Sequence, residues 1–89
     1  MENNYFLTPR AEQDIQQAWL YTIDMWGEAQ ADAYVRDLFD RIVWLANNPR
    51  LGRNRQDISD GYFSFGQGRH LIFYKVMRLV SALLVFHIN

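Results

Sequence analysis

Two apolar stripes with helical spacing follow each other along the first half of the chain, and a single glycine separates them. Thr8 precedes Pro9, a pair typical of a helix N-cap followed by proline at the first helical position. Gly27 stands where the first stripe ends, and glycine commonly terminates helices. Two helices joined by so short a turn are expected to lie antiparallel, as a helical hairpin. The first stripe comprises Ala11, Ile15, Ala18, Trp19, Thr22, Met25 and Trp26.

The second stripe predicts a helix that ends at residues 47–49, Asn-Asn-Pro, because the residue before a proline avoids the α region. Two acid-first pairs with a spacing of four, Asp32–Arg36 and Asp37–Arg41, predict ion pairs along this helix. The stripe comprises Ala31, Tyr34, Val35, Leu38, Ile42, Leu45 and Ala46. Helical spacing also predicts that the three tryptophans are core residues, although the last lies off the main stripe: Trp19, Trp26 and Trp44.

The second half of the chain changes to the period of two that is typical of β-strands. A short apolar run at residues 5–7 predicts one more strand, before the helices, and polar residues 50–61 predict a loop. The resulting order, β-α-α-β-β-β, predicts an α+β fold with the helical hairpin packed on one face of a mostly antiparallel four-stranded sheet. The later strands are predicted at residues 62–65, 70–76 and 79–88, with a turn at Met77-Arg78.

A length of 89 residues predicts one domain, spanning residues 1–89. The absence of cysteine favours a reducing compartment and excludes zinc sites built on thiolates. The first residues, MENNYFLT, lack the regions of a signal peptide, and no apolar run approaches the roughly 20 residues that span a bilayer. We therefore expect a cytoplasmic protein. Two histidines 17 positions apart do not form an HExxH motif, and GQG precedes a strand, so we expect neither metal nor cofactor.

Charge is divided unevenly between the two halves of the chain. Residues 1–49 contain eight acidic and three basic side chains, whereas residues 50–89 contain six basic and two acidic ones. Either the second half faces an acidic partner, or the two halves neutralise each other in the fold. The acidic helices argue against direct, non-specific binding of duplex DNA by this chain alone.

Five segments, in order along nearly the whole chain, resemble toxins of the ParE branch of the RelE/ParE superfamily. They are LTPRAEQDI at 7–15, WGEAQADAYV at 26–35, NPRLGRNRQD at 48–57, GRHLIFYKV at 68–76 and the terminal VFHIN. The resemblance implies a bacterial protein of a type II toxin–antitoxin system that arrests growth unless a cognate antitoxin binds it in a hetero-oligomeric complex. ParE-like toxins are known for inhibiting DNA gyrase and thereby blocking replication, whereas the related RelE branch cuts messenger RNA.

An endoribonuclease needs a general base, a general acid and cations that stabilise the charge developing on the phosphate. If the chain is a ribonuclease, its candidate catalytic residues are Arg69, His87, Arg53 and Arg55. We expect His70, on a predicted strand, to be a hydrogen-bonded packing residue. This set is small for a nuclease, so we favour a binding-type gyrase inhibitor without catalytic residues.

A binding function accounts for more of the charged side chains of this sequence than a catalytic function does. Arg50, Arg53 and Arg55 lie on the predicted loop, and arginine binds carboxylates and phosphates through its planar guanidinium group. The alternative, in which they cap the second helix or cover the sheet, is equally open at this point.

Arg69, placed by the turn at Gly68, is expected on the same docking side of the sheet. The antitoxin is expected at the sheet edge and in the groove beside the helical hairpin, where it covers apolar residues of the last strand. These are Leu79, Leu83, Val85 and Ile88. Members of the family usually carry a further arginine and an acidic residue after the terminal histidine, whereas here only Ile88 and Asn89 follow it. A relative that only titrates antitoxin is therefore a third possibility.

Overall fold

The computed structural model describes residues 5–77 and 83–88, and for Met77 and residues 83–88 the description concerns the backbone. The two helices form as expected from their end signals. α1 spans Pro9–Trp26, and the Thr8 Oγ1 atom accepts a hydrogen bond of 3.0 Å from the Ala11 N–H. Gly27 has a φ of 96°, a conformation that favours glycine, and it lets α2, Glu28–Asn47, begin at once. The predicted helical hairpin is confirmed.

Five strands form one sheet in the order β1-β5-β4-β3-β2. β1 pairs with β5 in parallel, and the other three pairs are antiparallel. The predicted α+β class and the mostly antiparallel sheet are confirmed. The difference is β2, a two-residue strand in the segment predicted to be a loop, where a turn of 3₁₀ helix at Pro49–Leu51 also forms. The strands are β1 Tyr5–Leu7, β2 Arg53–Asn54, β3 Tyr62–Gln67, β4 His70–Met77 and β5 Leu83–Ile88.

The last strand lies inside the sheet. β5 is hydrogen-bonded to β1 on one side and to β4 on the other, so the open edges of the sheet are β1 and β2. A strand added by a partner would therefore join β1 or β2 and not β5. Met77 is the last residue of β4, so the predicted turn at Met77-Arg78 falls partly outside the described residues. Arg78 and residues 79–82 lie outside the described residues.

The core lies between α2 and the middle of the sheet. Leu38, Ile42 and Leu45 are fully buried on one face of α2, because their spacing of three and four directs them to one side. They pack on Phe63 of β3 and on Ile72 and Tyr74 of β4, with Ile15 added from α1. The rings of Phe63 and Tyr74 are stacked with their centroids 5.5 Å apart. Residues 72 and 74 alternate with the outward positions 71, 73 and 75, as a period of two requires.

Two expectations about α1 and α2 were wrong. Trp26 is 68% exposed and Met25 is 56% exposed, because both lie in the last turn of α1, beyond the buried positions of its stripe. Neither predicted i,i+4 pair is an ion pair in the described residues. Asp32 instead accepts a hydrogen bond of 3.0 Å from Trp19 Nε1, and Arg41 donates to the Gln67 side chain.

Tyr74 joins the core to the segment that follows α2. Its side chain is fully buried, yet its hydroxyl accepts a hydrogen bond of 3.0 Å from the Gly52 N–H and donates one of 2.7 Å to the Pro49 carbonyl. Burial raises the pKa of this phenol, so it stays neutral and keeps its donor. One buried hydroxyl thus positions the chain between Pro49 and Gly52.

We predict that Tyr74→Phe lowers the free energy of unfolding by about 1–2 kcal/mol, because the Gly52 N–H and the Pro49 carbonyl each lose a partner. Urea denaturation followed by circular dichroism measures the change. Tyr62→Phe is the matched control, since the Tyr62 hydroxyl has no hydrogen bond to any described residue. Equal effects of the two substitutions would contradict this role for Tyr74.

Candidate functional site

A groove of about 610 Å³ lies between the helical hairpin and the turn that joins β3 to β4, and we call it the hairpin groove. Its residues come from three elements that are far apart in the sequence, so the groove exists only after the hairpin has packed on the sheet. α1 contributes Asp14, Gln17, Ala18, Tyr21, Thr22 and Trp26, α2 contributes Gln30 and Tyr34, and the turn contributes Gly68, Arg69 and His70.

Arg69 is the fixed positive charge of this groove. It is exposed, and its Nη1 atom donates a hydrogen bond of 3.4 Å to the hydroxyl of Tyr21, a neutral group. Among the described residues Arg69 forms no ion pair. Asp14 lies in the same groove, but its Oδ1 atom is 3.4 Å from Arg10 Nε, so this carboxylate already has a cation beside it.

His70 lies beside Arg69 and is held by Tyr34. The Tyr34 hydroxyl is hydrogen-bonded to His70 Nδ1 and lies 3.3 Å from the Gln67 carbonyl oxygen. The two rings also contact each other, with centroids 5.6 Å apart. Burial raises the pKa of Tyr34, although the Arg69 backbone and its nearby charge act in the opposite direction. The expectation that His70 is a hydrogen-bonded packing residue is confirmed.

α2 holds the β3–β4 turn at two further points. Arg41 Nε donates a hydrogen bond of 3.1 Å to Gln67 Oε1, and the Arg41 guanidinium lies over the ring of Trp44. Gly68 has a φ of 58°, and a Cβ atom there would lie 2.9 Å from Tyr34 Cε1. The turn therefore requires glycine for its conformation and for its close contact with α2. These contacts fix the position from which Arg69 projects.

The segment after α2 forms a second charged surface, which we call the basic loop, residues 49–57. Arg50 and Arg53 are exposed, as expected. Arg55 differs, because its Nε and Nη2 atoms donate to the two carboxylate oxygens of Asp57 at 3.1 and 3.0 Å. The Arg55 guanidinium also lies 5.6 Å from the ring centroid of Phe73. These hydrogen bonds lower the pKa of Asp57 and raise the pKa of Arg55.

The two charged surfaces lie at opposite ends of α2. Tyr34, at the hairpin groove, and Asn48, at the start of the basic loop, are 14 positions apart along a nearly continuous helix. At a rise of about 1.5 Å per residue the separation is roughly 20 Å. The structure therefore does not bring Arg69 together with Arg50, Arg53 and Arg55 in one patch.

Two of the four ribonuclease candidates, Arg53 and His87, lie at positions of one cross-strand row, and a third, Arg55, contacts this row. In this row Arg53 is opposite Ser64, Ser64 is opposite Phe73, and Phe73 is opposite His87. Arg55 joins the row through its contact with Phe73. Arg69 does not, because it precedes Phe73 by four residues, roughly 13 Å along the strand. The two histidines lie on adjacent strands, as expected.

The apolar residues predicted to bind a partner lie on or before β5. Leu83, Val85 and Ile88 are in β5 itself, where the backbone pairs on both sides over much of its length. Leu79 lies outside the described residues. Their role in binding stays a prediction.

Sequence reasoning missed two residues of the hairpin groove. Tyr21 is polar at its tip and half exposed, and it lies off the apolar stripe of α1, so periodicity gave no reason to select it. Tyr34 was assigned to the buried stripe of α2, yet its hydroxyl reaches the β3–β4 turn. The sequence contained one indication of this contact. A tyrosine at a stripe position needs a hydrogen-bond partner for its hydroxyl when it is buried.

Neither a metal site nor a membrane span is found in the described part of the chain. There, no three His, Asp or Glu side chains come together as a metal ion would require. Neither α1 nor α2 is sufficiently apolar over its length to cross a bilayer.

A helical hairpin on a mostly antiparallel sheet is the architecture that the resemblance to the RelE/ParE superfamily implies. Residues 5–88 match the family model described as the ParE toxin of the type II toxin–antitoxin system, parDE. Because this match covers nearly all of the sequence, the chain belongs to the ParE toxin family. The predicted resemblance is confirmed.

Two curated relatives agree with this assignment. Toxin ParE1 of Mycobacterium tuberculosis is 40% identical over 76 residues, which are 85% of this chain and 78% of the relative. Toxin ParE1 of Caulobacter vibrioides is 34% identical over 83 residues, 93% of this chain and 86% of the relative.

We predict that Asp57 titrates below the ordinary aspartate pKa of about 3.9 because Arg55 donates two hydrogen bonds to its carboxylate. The pair's stabilisation is therefore present above that ordinary value and is lost as the pH falls through the lower, folded-state pKa. A ¹³C NMR titration of the Asp57 carboxyl carbon measures the midpoint, and Arg55→Gln should raise it. Arg50→Gln, a loss of the same charge without that contact, is the control. An Asp57 midpoint at or above 3.9 would refute the prediction.

Proposed function

We propose that this ParE-family toxin inhibits DNA gyrase by binding to it, and that a cognate antitoxin neutralises the toxin. The observation that carries the proposal is the family match over residues 5–88, together with strong similarity to two proteins named Toxin ParE1. The location of the complex is the bacterial cytoplasm, where gyrase acts.

The distribution of ionisable groups supports binding over catalysis. A general acid or base must lie within hydrogen-bond distance, about 3 Å, of the proton that it transfers. Arg69 is far from the row that contains Arg53 and His87, and His70 is engaged by Tyr34. Arg55 is bonded to Asp57, which reduces its availability for a substrate phosphate.

The basic loop is the surface that we assign to the target. Arg50 and Arg53 are exposed, and neither forms an ion pair with a described residue. Their backbone is held rigidly, because the Tyr74 hydroxyl bonds both Pro49 and Gly52. Because the backbone is already held, the entropy lost on binding is mainly that of the two side chains, and each guanidinium group can bind a carboxylate or a phosphate.

One observation favours a second function, an mRNA endoribonuclease that inhibits translation. In the cross-strand row, Arg53 and His87 occupy register positions that share one face of the sheet. Arg55 packs on Phe73, which lies between them. If this row acts on RNA, His87 would be the proton-transfer group and the arginines would stabilise the phosphate. Such an activity would not involve Arg69.

Two assays on the purified chain separate these functions. We expect inhibition of gyrase supercoiling, or accumulation of gyrase-cleaved DNA, with intact transcripts in an in vitro translation reaction. Fragmented transcripts with normal gyrase activity would reject gyrase inhibition and support the ribonuclease. If neither activity is observed while the antitoxin still binds, the chain is a relative that titrates antitoxin.

We predict that the double substitution Arg50→Ala/Arg53→Ala raises the concentration needed for half-inhibition of gyrase by about 10-fold or more, since both charged contacts are lost. Supercoiling assays over a range of toxin concentrations measure the effect. Arg36→Ala removes an exposed arginine from α2, away from both charged surfaces, and is expected to change inhibition by less than 2-fold. Unchanged inhibition by the double variant would remove the basic loop from the target surface.

Antitoxin neutralisation is tested in cells. Expression of this chain alone is expected to arrest growth, and co-expression of the protein encoded by the adjacent gene is expected to restore it. Growth arrest that no adjacent gene product relieves would contradict the antitoxin part of the proposal. A protein that restores growth supplies the antitoxin for the measurements below.

A further inference from the structure

We infer that Asp57 occupies, in the free toxin, the position that a carboxylate of gyrase takes in the complex, and that Asp57 competes with this carboxylate for Arg55. Arg55 then belongs to the target surface together with Arg53, and Asp57 lowers the apparent affinity of the toxin for its target. This inference rests on the proposed function, because it assigns the chemistry of the group that the basic loop binds.

Arg55 already forms a complete binding site for a carboxylate. Its Nε and Nη2 atoms donate to the two oxygens of Asp57 at 3.1 and 3.0 Å, the paired arrangement that arginine forms with carboxylates. The guanidinium group also packs near the ring of Phe73, and the Arg55 side chain is only 25% exposed. The two donors therefore point at a planar, two-oxygen anion before any partner arrives.

The backbone holds this site beside Arg53. The Arg55 N–H donates a hydrogen bond of 2.7 Å to the Tyr62 carbonyl, next to the pairing of β2 with β3, and the Arg55 carbonyl accepts one of 2.9 Å from Ile58. Arg53 and Arg55 are two positions apart, a spacing of roughly 7 Å that directs both side chains to one face of the sheet. Arg55 lowers the pKa of Asp57 through its hydrogen bonds, and the charge of Arg53 adds to this effect. One anion thus interacts with both arginines.

Asp57 leaves this site at little cost. Its side chain is 64% exposed, and exposed ion pairs are weak because water solvates both charges when the pair opens. A carboxylate on a partner that excludes water from the loop interacts more strongly with Arg55 than Asp57 does in the free toxin. The partner group therefore replaces Asp57.

The partner group that we assign is a carboxylate of gyrase and not a phosphate of DNA. The Asp57 carboxylate shows that the two donors of Arg55 fit such a group. Residues 1–49 carry eight acidic side chains, and their charge repels a polyanion more than it repels a single carboxylate on a protein surface.

The experiment measures the affinity of the toxin for gyrase by isothermal titration calorimetry, without and with duplex DNA. Asp57→Asn frees Arg55 and is expected to raise the affinity by about 3- to 6-fold in both conditions, as the typical strength of an exposed ion pair requires. Asp60→Asn removes the same charge from an exposed residue that forms no ion pair in the described part of the chain. This control is expected to change the affinity by less than 2-fold.

A double substitution separates competition from a general effect of charge. Arg55→Ala is expected to weaken gyrase binding, and Asp57→Asn is expected to give no gain in the Arg55→Ala background, because no site is left for which Asp57 competes. Circular dichroism verifies that each variant is folded, and antitoxin affinity is expected to change by less than 2-fold in Asp57→Asn.

Acetate tests the site without gyrase. The Arg55 Nε–H resonance is followed by ¹⁵N NMR as sodium acetate is added, with sodium chloride at equal ionic strength as the reference. The acetate-specific shift is expected to be larger in Asp57→Asn than in the unmodified toxin. Equal or absent shifts overturn the inference, whatever the target of the toxin is.

The remaining outcomes are distinguishable. Equal effects of Asp57→Asn and Asp60→Asn on gyrase binding overturn the inference and leave gyrase inhibition standing, and so does an equal gain in affinity for the antitoxin. A gain that requires DNA assigns the anion to a phosphate, and the inference is then wrong. If the unmodified toxin binds no gyrase, the proposed function fails and the gyrase carboxylate fails with it, even where acetate binds at Arg55.

Discussion

The packing of α2 across β3 and β4 is the interaction on which the rest of the structure depends. Leu38, Ile42 and Leu45 bury one face of the helix against Phe63, Ile72 and Tyr74. In the described residues the other buried apolar side chains are Ile15 and four alanines, so this contact carries much of the stability. It also sets where both ends of α2 lie relative to the sheet, and each charged surface is attached to one of those ends.

Each end of α2 is coupled to the sheet by a tyrosine hydroxyl. At the hairpin groove, Tyr34 extends from the helix to the β3–β4 turn. At the basic loop, Tyr74 extends from β4 to the segment that follows the helix. Both hydroxyls bond to backbone or ring atoms in partly buried surroundings, where an unpaired polar group is costly. The core packing is thereby transmitted to the positions of Arg69, Arg50 and Arg53.

This division places two charged surfaces roughly 20 Å apart on a small protein. It also explains the uneven charge of the sequence. The acidic excess belongs to the helical hairpin, and the basic excess lies on the basic loop and at the β3–β4 turn. The halves do not simply neutralise each other, because the ion pairs of the described residues are local, Arg10–Asp14 and Arg55–Asp57. Both charged surfaces therefore remain available to other macromolecules.

The sequence by itself determined the two helices, their ends and the fold class. Cap residues and apolar periods are local signals, so Thr8, Gly27 and the two stripes located α1 and α2 without knowledge of the rest of the chain. The family, too, was evident from short motifs in order.

Only the tertiary structure decided which side chains meet. The groove joins Tyr21, Tyr34 and Arg69, which are separated by up to 48 positions, and no periodicity encodes that contact. The exposure of Trp26 was also unpredictable, because helical spacing assigns a residue to a face but not to the part of that face that the sheet covers. Packing decides that coverage, through the position and the register of elements that lie far apart in the chain.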